Sequence, residues 1–214
     1  MADLQQEKGL VLDFLNNIDK AENKLLAETI SKYTSDDFHM RCTHPFNELK
    51  GADNVANDLW IPIKNSFKPI QRRMDIFYAG TNLIDNHSSK WVVNMGHLLG
   101  IFNNPFLGIV PTRKAVMLWY CEFYRVENNK ITEGAFFLDI LKFMQQLQLP
   151  IIPESTGMVG FNPGPMTHDG LYFNKQPEEE GQKTLDLMMR MANRLVGGGM
   201  KTTIPDLEKD WHKD

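Results

Sequence analysis

Between Ile70 and Leu138 the chain repeatedly alternates apolar and polar residues with a period of two, and the intervals between these stretches are short. Ile70 to Ala79 and Ser89 to Phe102 are separated by Asp85-Asn86-His87-Ser88. Ala115 to Val126 follows a loop that opens at Asn103-Asn104-Pro105, and Glu127-Asn128-Asn129-Lys130 turns the chain into a last strand. Such alternation describes extended strands with two distinct faces, and the asparagines tolerate the positive φ of tight hairpins. Strands joined by such turns form hairpins, and a run of them indicates an antiparallel sheet. Ala115 to Val126 is apolar on both faces, so it belongs in the middle of the sheet.

The last strand runs directly into a helix across Lys130 to Leu147, with Asp139 at the junction. A carboxylate there has two roles open to it. It caps the helix by accepting from backbone N–H groups that lack partners, or it projects from the end of the sheet into the space that the fold encloses.

The rest of the chain supplies helices and an extension. Leu10, Phe14 and Ile18, then Leu25, Leu26, Ile30 and Tyr33, recur at helical spacing with a break near Asn16-Asn17, predicting two helices or one bent one. A short strand follows, with Phe38, Met40 and Cys42 on one face and His39, Arg41 and Thr43 on the other, ending at His44-Pro45. Residues 52–66 read as a helix that Pro62 should kink or end early. Helices followed by a run of strands indicate an α+β fold. From Pro150 to about residue 178, prolines and glycines are too dense for regular structure, yet Ile151, Ile152, Met158, Val159, Phe161, Leu171, Tyr172 and Phe173 are too apolar for a solvated linker. An ordered arm lying on the domain is expected. A helix at 178–196 follows, with Leu185, Met188, Met189, Ala192, Leu195 and Val196 as its stripe, and Gly197-Gly198-Gly199 stops it.

The 214 residues carry a net charge of −4, and the one basic doublet, Arg72-Arg73, is isolated. That argues against a nucleic-acid partner, which needs a basic stripe. No apolar run approaches the ~18 residues of a membrane span, the N-terminus is too charged for a signal peptide, and the two cysteines read as free thiols. A cytoplasmic protein is expected. Phosphate-cradling loops, nucleophile elbows and metal-ligand spacings are missing from the sequence, so neither a cofactor nor a metal is implied.

Asn94-Met95-Gly96-His97-Leu98-Leu99-Gly100-Ile101-Phe102, with Gly108-Ile109-Val110-Pro111-Thr112 after it, resembles the strand, loop and Pro-Thr start of the next strand in the SnoaL-like polyketide cyclases. These belong to the nuclear transport factor 2-like superfamily of cone-shaped α+β folds. Phe123 to Glu133, continuing through Asp139 to Gln145-Gln146-Leu147, resembles that family's closing hairpin and Asp-bearing helix. The resemblance implies a curved antiparallel sheet packed against the N-terminal helices over residues 1–149, with 150–214 as arm and helix. It also implies a homodimer paired face to face through the sheets and a small apolar or carbonyl-bearing ligand in the enclosed cavity. The family's cyclases close a ring by cofactor-independent aldol condensation, and Asp139 matches the position of their general acid/base. A non-catalytic binding or interaction domain of the same fold is the alternative. Gly164-Pro165-Met166-Thr167-His168-Asp169-Gly170 resembles the connector of longer relatives with two such domains, in which case Trp211-His212 begins a second one.

Other candidates stand beside Asp139. His97 shares a strand face with apolar neighbours, as a pocket residue or a hydrogen-bonded core histidine. His44 and Asn47 mark the mouth of the cone or a turn held by side-chain bonds. Trp60, Trp119, Ala135 and Phe137 are candidate cavity wall, with Ala135 enlarging the pocket where relatives often carry Trp. Glu122 and Glu133 are the carboxylates of the central strands, and Glu133, Ala135, Phe137 and Asp139 fall on one face of a regular strand.

Overall fold

A computed structural model describes residues 4–149, 153, 164–165 and 167–198. Its contacts divide the chain into a unit spanning Asp3–Phe173 and a second unit that starts at Asn174. In the first unit, α1 (Gln5–Lys20) and α2 (Leu26–Tyr33) precede β1 (Thr34–Cys42), so the helical break falls at Ala21 to Leu25, later than the expected Asn16-Asn17. A three-residue strand that the periodicity does not reveal, β2 (Glu48–Lys50), comes next, followed by α3 (Gly51–Asn54), a π-helical turn (Val55–Trp60) and α4 (Ile61–Ser66). Pro62 therefore does not end this helix. Its ring crowds the carbonyl one turn back and it lacks an N–H, and the wider turn just before it absorbs both defects.

The strands β3 (Phe67–Thr81), β4 (Lys90–Phe102), β5 (Ala115–Glu127) and β6 (Lys130–Leu138) follow, then α5 (Ile140–Gln146). They form a six-stranded sheet in the order β2-β1-β6-β5-β4-β3, antiparallel except where β1 runs parallel to β6. The expected β3–β4 hairpin and the interior position of β5 are both present. Parallel pairing of β1 is possible because more than ninety residues separate Thr34 from Ile131, its partner in register.

Curvature comes from β3. Its register against β4 shifts between Phe67 and Ile70 and again between Met74 and Ile76, and each bulge increases the local bend. Gly96 and Gly100 lie opposite these places. A Cβ at Gly96 would sit 1.9 Å from the carbonyl oxygen of Arg73, and one at Gly100 would sit 2.9 Å from Phe67 Cβ. Only a residue without a side chain lets the bulged strand fold over at that distance.

The helices fill the concave side. Phe14, Leu15 and Ile18 of α1, Leu26 and Ile30 of α2, and Leu59, Trp60 and Ile63 are buried against inward residues of the sheet such as Phe38, Val92, Leu98, Leu118 and Phe136. Among the described residues no helix is long and apolar enough to cross a membrane. The described end of the Pro/Gly-rich arm lies along β3: Phe77 N–H donates to Gly170 O at 2.8 Å, Tyr172 N–H donates to Phe77 O at 2.6 Å, and Leu171 bridges Phe77 in parallel. It thereby covers part of an edge strand that would otherwise offer unpaired backbone groups. Ile151, Ile152, Met158, Val159 and Phe161 lie outside the described residues, as do Gly199 and Trp211-His212. In the second unit, α6 (Glu178–Gly198) carries the expected stripe, with Met188 and Met189 exposed and the side chains of Leu195 and Val196 outside the described set. The described helix ends at Gly198, within the Gly197-Gly198-Gly199 run.

Candidate functional site

Alternation along β4, β5 and β6 determines what faces the interior. Asn94, Gly96 and Leu98 point inward from β4, Leu118, Tyr120, Glu122 and Tyr124 from β5, and Gly134, Phe136 and Leu138 from β6; all are buried. Val93, Met95, His97 and Leu99, then Met117, Trp119, Cys121 and Phe123, and finally Glu133, Ala135 and Phe137, take the opposite, outer face, where they pair across strands. The shared face of Glu133, Ala135, Phe137 and Asp139 is thus real, but it is the outer one. Consequently Ala135 does not enlarge the enclosed space, and Phe137 is 51% exposed.

Asp139 is exposed and takes the capping role: its Oδ1 accepts the backbone N–H of Lys142 at 2.8 Å at the start of α5. It is not a carboxylate of the interior. His97 lies half-buried on the outer face, with Nδ1 3.5 Å from Asp75 Oδ2 and its ring 6.1 Å from that of Trp119, which packs beneath the ammonium of Lys142. His44 is exposed in the turn after β1, where Asn47, at φ 54°, donates through Nδ2 to Pro45 O at 3.1 Å. The side-chain-held turn therefore describes this region. Glu133 spans the outer face of the sheet, accepting from Arg41 at 2.9 Å and from Arg125 at 2.6 Å, and these bonds hold its carboxyl below the usual range.

Of the sequence candidates, Glu122 and Trp60 meet in the interior, and they do so around Arg72. The Arg72 guanidinium lies between the rings of Trp60 and Tyr120, 5.2 Å and 5.0 Å from their centroids. Its Nη1 donates to Glu122 Oε2 at 2.9 Å, and its other edge, Nε and Nη2, grips both oxygens of Asp19 at 2.9 and 3.3 Å. Asn94 Nδ2 donates to Glu122 Oε2 at 2.8 Å and to Tyr120 Oη at 3.2 Å. The side chains of Glu122 and Arg72 are 0% and 2% exposed, whereas Asp19 is 34% exposed, so solvent reaches this cluster at Asp19. Burial drives the Glu122 carboxyl above its ordinary value, against the opposing pull of Arg72 and Asn94. Burial also disfavours charge on Arg72, but Glu122, Tyr120 and Asp19 outweigh it and stabilise the cation.

Three buried polar atoms beside this ion pair have no hydrogen-bond partner among the described residues: Glu122 Oε1, Trp60 Nε1 and Tyr124 Oη. Buried polar groups are ordinarily satisfied, because each orphan costs about 1–3 kcal/mol. Glu122, which carries one of these atoms, is also the acceptor for Arg72 and Asn94, so the buried ion pair retains unfilled hydrogen-bonding capacity. Arg72 and Asn94 are the functional candidates that the sequence did not single out. Their signal was available: a charged residue and an amide at inward positions of long apolar strands.

Cys42 and Cys121 are free, and burial pushes the Cys42 thiol up to about 12, which leaves it unreactive. Among the described residues no group of three or more His, Cys, Asp or Glu side chains is placed to hold a metal ion.

No family model and no curated protein matches the sequence. Solved structures do match in shape. AclR of Streptomyces galilaeus, for which a hydroxylase activity is proposed, has a TM-score of 0.56 at 20% identity over 71% of this chain and 87% of its own. A proposed polyketide cyclase of Acidithiobacillus ferrooxidans has a TM-score of 0.53 at 16% identity, over 69% of this chain and 98% of its own. A proposed SnoaL-like polyketide cyclase of Shewanella denitrificans has 0.51 at 14% identity, over 69% and 98%. The chain has the SnoaL-like fold. Its curved α+β sheet and covering helices lie between residues 4 and 149, and the Arg72–Glu122 pair is buried between them.

Proposed function

We propose that this SnoaL-like protein binds a small carbonyl-bearing molecule in the concave interior and carries out cofactor-independent acid–base chemistry on it, with Glu122 as the proton-handling group. The observation that supports this most directly is the set of orphaned polar atoms, Glu122 Oε1, Trp60 Nε1 and Tyr124 Oη, around a buried ion pair. When Glu122 is protonated all three are donors, which suits a carbonyl oxygen or the enolate formed from it. When Glu122 is ionised it is a base strengthened by burial, suited to removing a proton next to that carbonyl. Arg72, fixed between two aromatic rings, stabilises the negative charge as it moves from Glu122 to the substrate. Asp139 remains a helix cap in this reading, so the acid–base role passes from the exposed carboxylate to the buried one. An intramolecular aldol closure or an isomerisation both fit this arrangement.

The protein is further proposed to be a cytoplasmic homodimer. The outer face supports the pairing: Tyr78, Met95 and Phe137 are 42%, 38% and 51% exposed on a surface continued by Val93, Leu99 and Phe123. The functional reading is tested by mass spectrometry of small molecules released from the protein after incubation with a metabolite extract and gel filtration. A retained compound that reacts with a carbonyl reagent is expected; protein that carries nothing would overturn the proposal.

A further inference from the structure

Arg72 holds two carboxylates in unlike ways. Glu122, fully buried, takes one N–H of Nη1, while Asp19 occupies the whole Nε/Nη2 edge, the two-pronged side that matches a carboxylate in shape and spacing. Asp19 is the partner that is cheaper to release. It is partly exposed, so water compensates it on leaving, whereas Glu122 would be stranded as an uncompensated buried group. Asp19 also stands next to the last residue of α1, where the helix end is negative and a carboxylate is disfavoured. The backbone carbonyls of Ile18, Asp19 and Ala21 at that end are already held by Lys64 Nζ at 2.7, 3.2 and 2.6 Å, so the end of the helix stays in place without the Asp19–Arg72 bond.

From this asymmetry we infer that Asp19 is an internal stand-in for the ligand, and that the ligand carries a carboxylate which displaces it from the outer edge of Arg72. The inference rests on the interior being a binding site and adds to it the ligand's charge and its way in. Exchange of one carboxylate for another keeps Arg72 neutralised throughout, so the guanidinium is never left buried and bare. The incoming carboxylate docks at the partly exposed side of the cluster. The remainder of the molecule then lies toward Trp60, Tyr120 and the orphaned oxygen of Glu122, which places a carbonyl of the ligand beside the acid–base group. Asp19 is thus a positioning and gating residue, and Glu122 is the group that touches the reacting atoms.

The test uses isothermal titration of the full chain at neutral pH with benzoate and with benzamide, its neutral analogue of nearly the same shape. The wild-type protein is expected to bind benzoate and not benzamide. Asp19→Asn, which removes the competing charge while keeping side-chain size, is expected to tighten benzoate at least ten-fold without creating benzamide binding. Asp19→Glu retains the charge and is expected to behave like wild type, which separates gating from disturbance of the fold. Equal binding of the two probes by wild type, or an unchanged benzoate affinity in Asp19→Asn, would overturn the exchange while leaving an interior binding site standing. Failure of every protein to bind either probe would remove both readings.

Discussion

Glu122 and Asp139 show how little a residue's type says about its role. Both are carboxylates presented by the closing strands of the sheet, yet one is fully buried beside a guanidinium and the other caps a helix in water. Their environments make opposite predictions under titration and substitution. Because the folded protein raises the Glu122 carboxyl above its unfolded value of about 4.3, the folded state holds the proton more tightly, and this contribution to stability is present below that value. It is lost as pH rises through the folded midpoint. Thermal unfolding should therefore show Glu122→Gln gaining on wild type as pH rises above about 4.3; a difference that is constant with pH, or that runs the other way, would contradict the buried assignment. The role of Arg72 was hidden in the sequence for a related reason. The sequence shows Arg72 only as half of an isolated basic doublet, because its partner Glu122 lies fifty residues further along the chain.

At the scale of elements, the strands were legible and their facing was not. A period of two states that Glu133, Ala135, Phe137 and Asp139 share a side, but Phe136 and Phe137 are equally apolar, and nothing in the alternation says which of them meets the helices. The answer depends on long-range packing: Phe136 lies 5.5 Å from Trp60 and 6.4 Å from Tyr120, ring to ring, while Phe137 meets Phe123 on the outside. β2 and the parallel pairing of β1 with β6 were invisible for the same reason, since a three-residue strand has no period and pairing partners are not encoded locally. The glycines of β4, by contrast, gave a usable signal, as a glycine within a strand often marks a bulge or a close approach. Gly96→Ala would bring a methyl group against the Arg73 carbonyl oxygen. Urea denaturation should show a loss of roughly 3 kcal/mol, the upper end of overpacking costs; a neutral substitution would mean that the bulge of β3 does not press on Gly96.

The unit that carries the sheet combines a polar cluster, buried except at Asp19, on the inner side of the sheet with exposed apolar side chains such as Tyr78, Met95 and Phe137 on the outer side. This division explains why the fold places its candidate chemistry and its candidate partner on opposite faces: the helices dry the inner face, and a second copy would dry the outer one. Sedimentation equilibrium is expected to give twice the chain mass for wild type and the single chain mass for Phe137→Glu, which sets a charge in the middle of that surface; a wild-type monomer would remove the dimer. The central claim is that the interior cluster, and not the helix cap, carries the function. It is tested most directly by comparing the compound retained from a metabolite extract by wild type, Glu122→Gln and Asp139→Asn, each first shown to be folded by far-ultraviolet circular dichroism. Retention equal to wild type in Asp139→Asn and reduced at least ten-fold in Glu122→Gln is the expected result. Loss in Asp139→Asn with full retention in Glu122→Gln would contradict it.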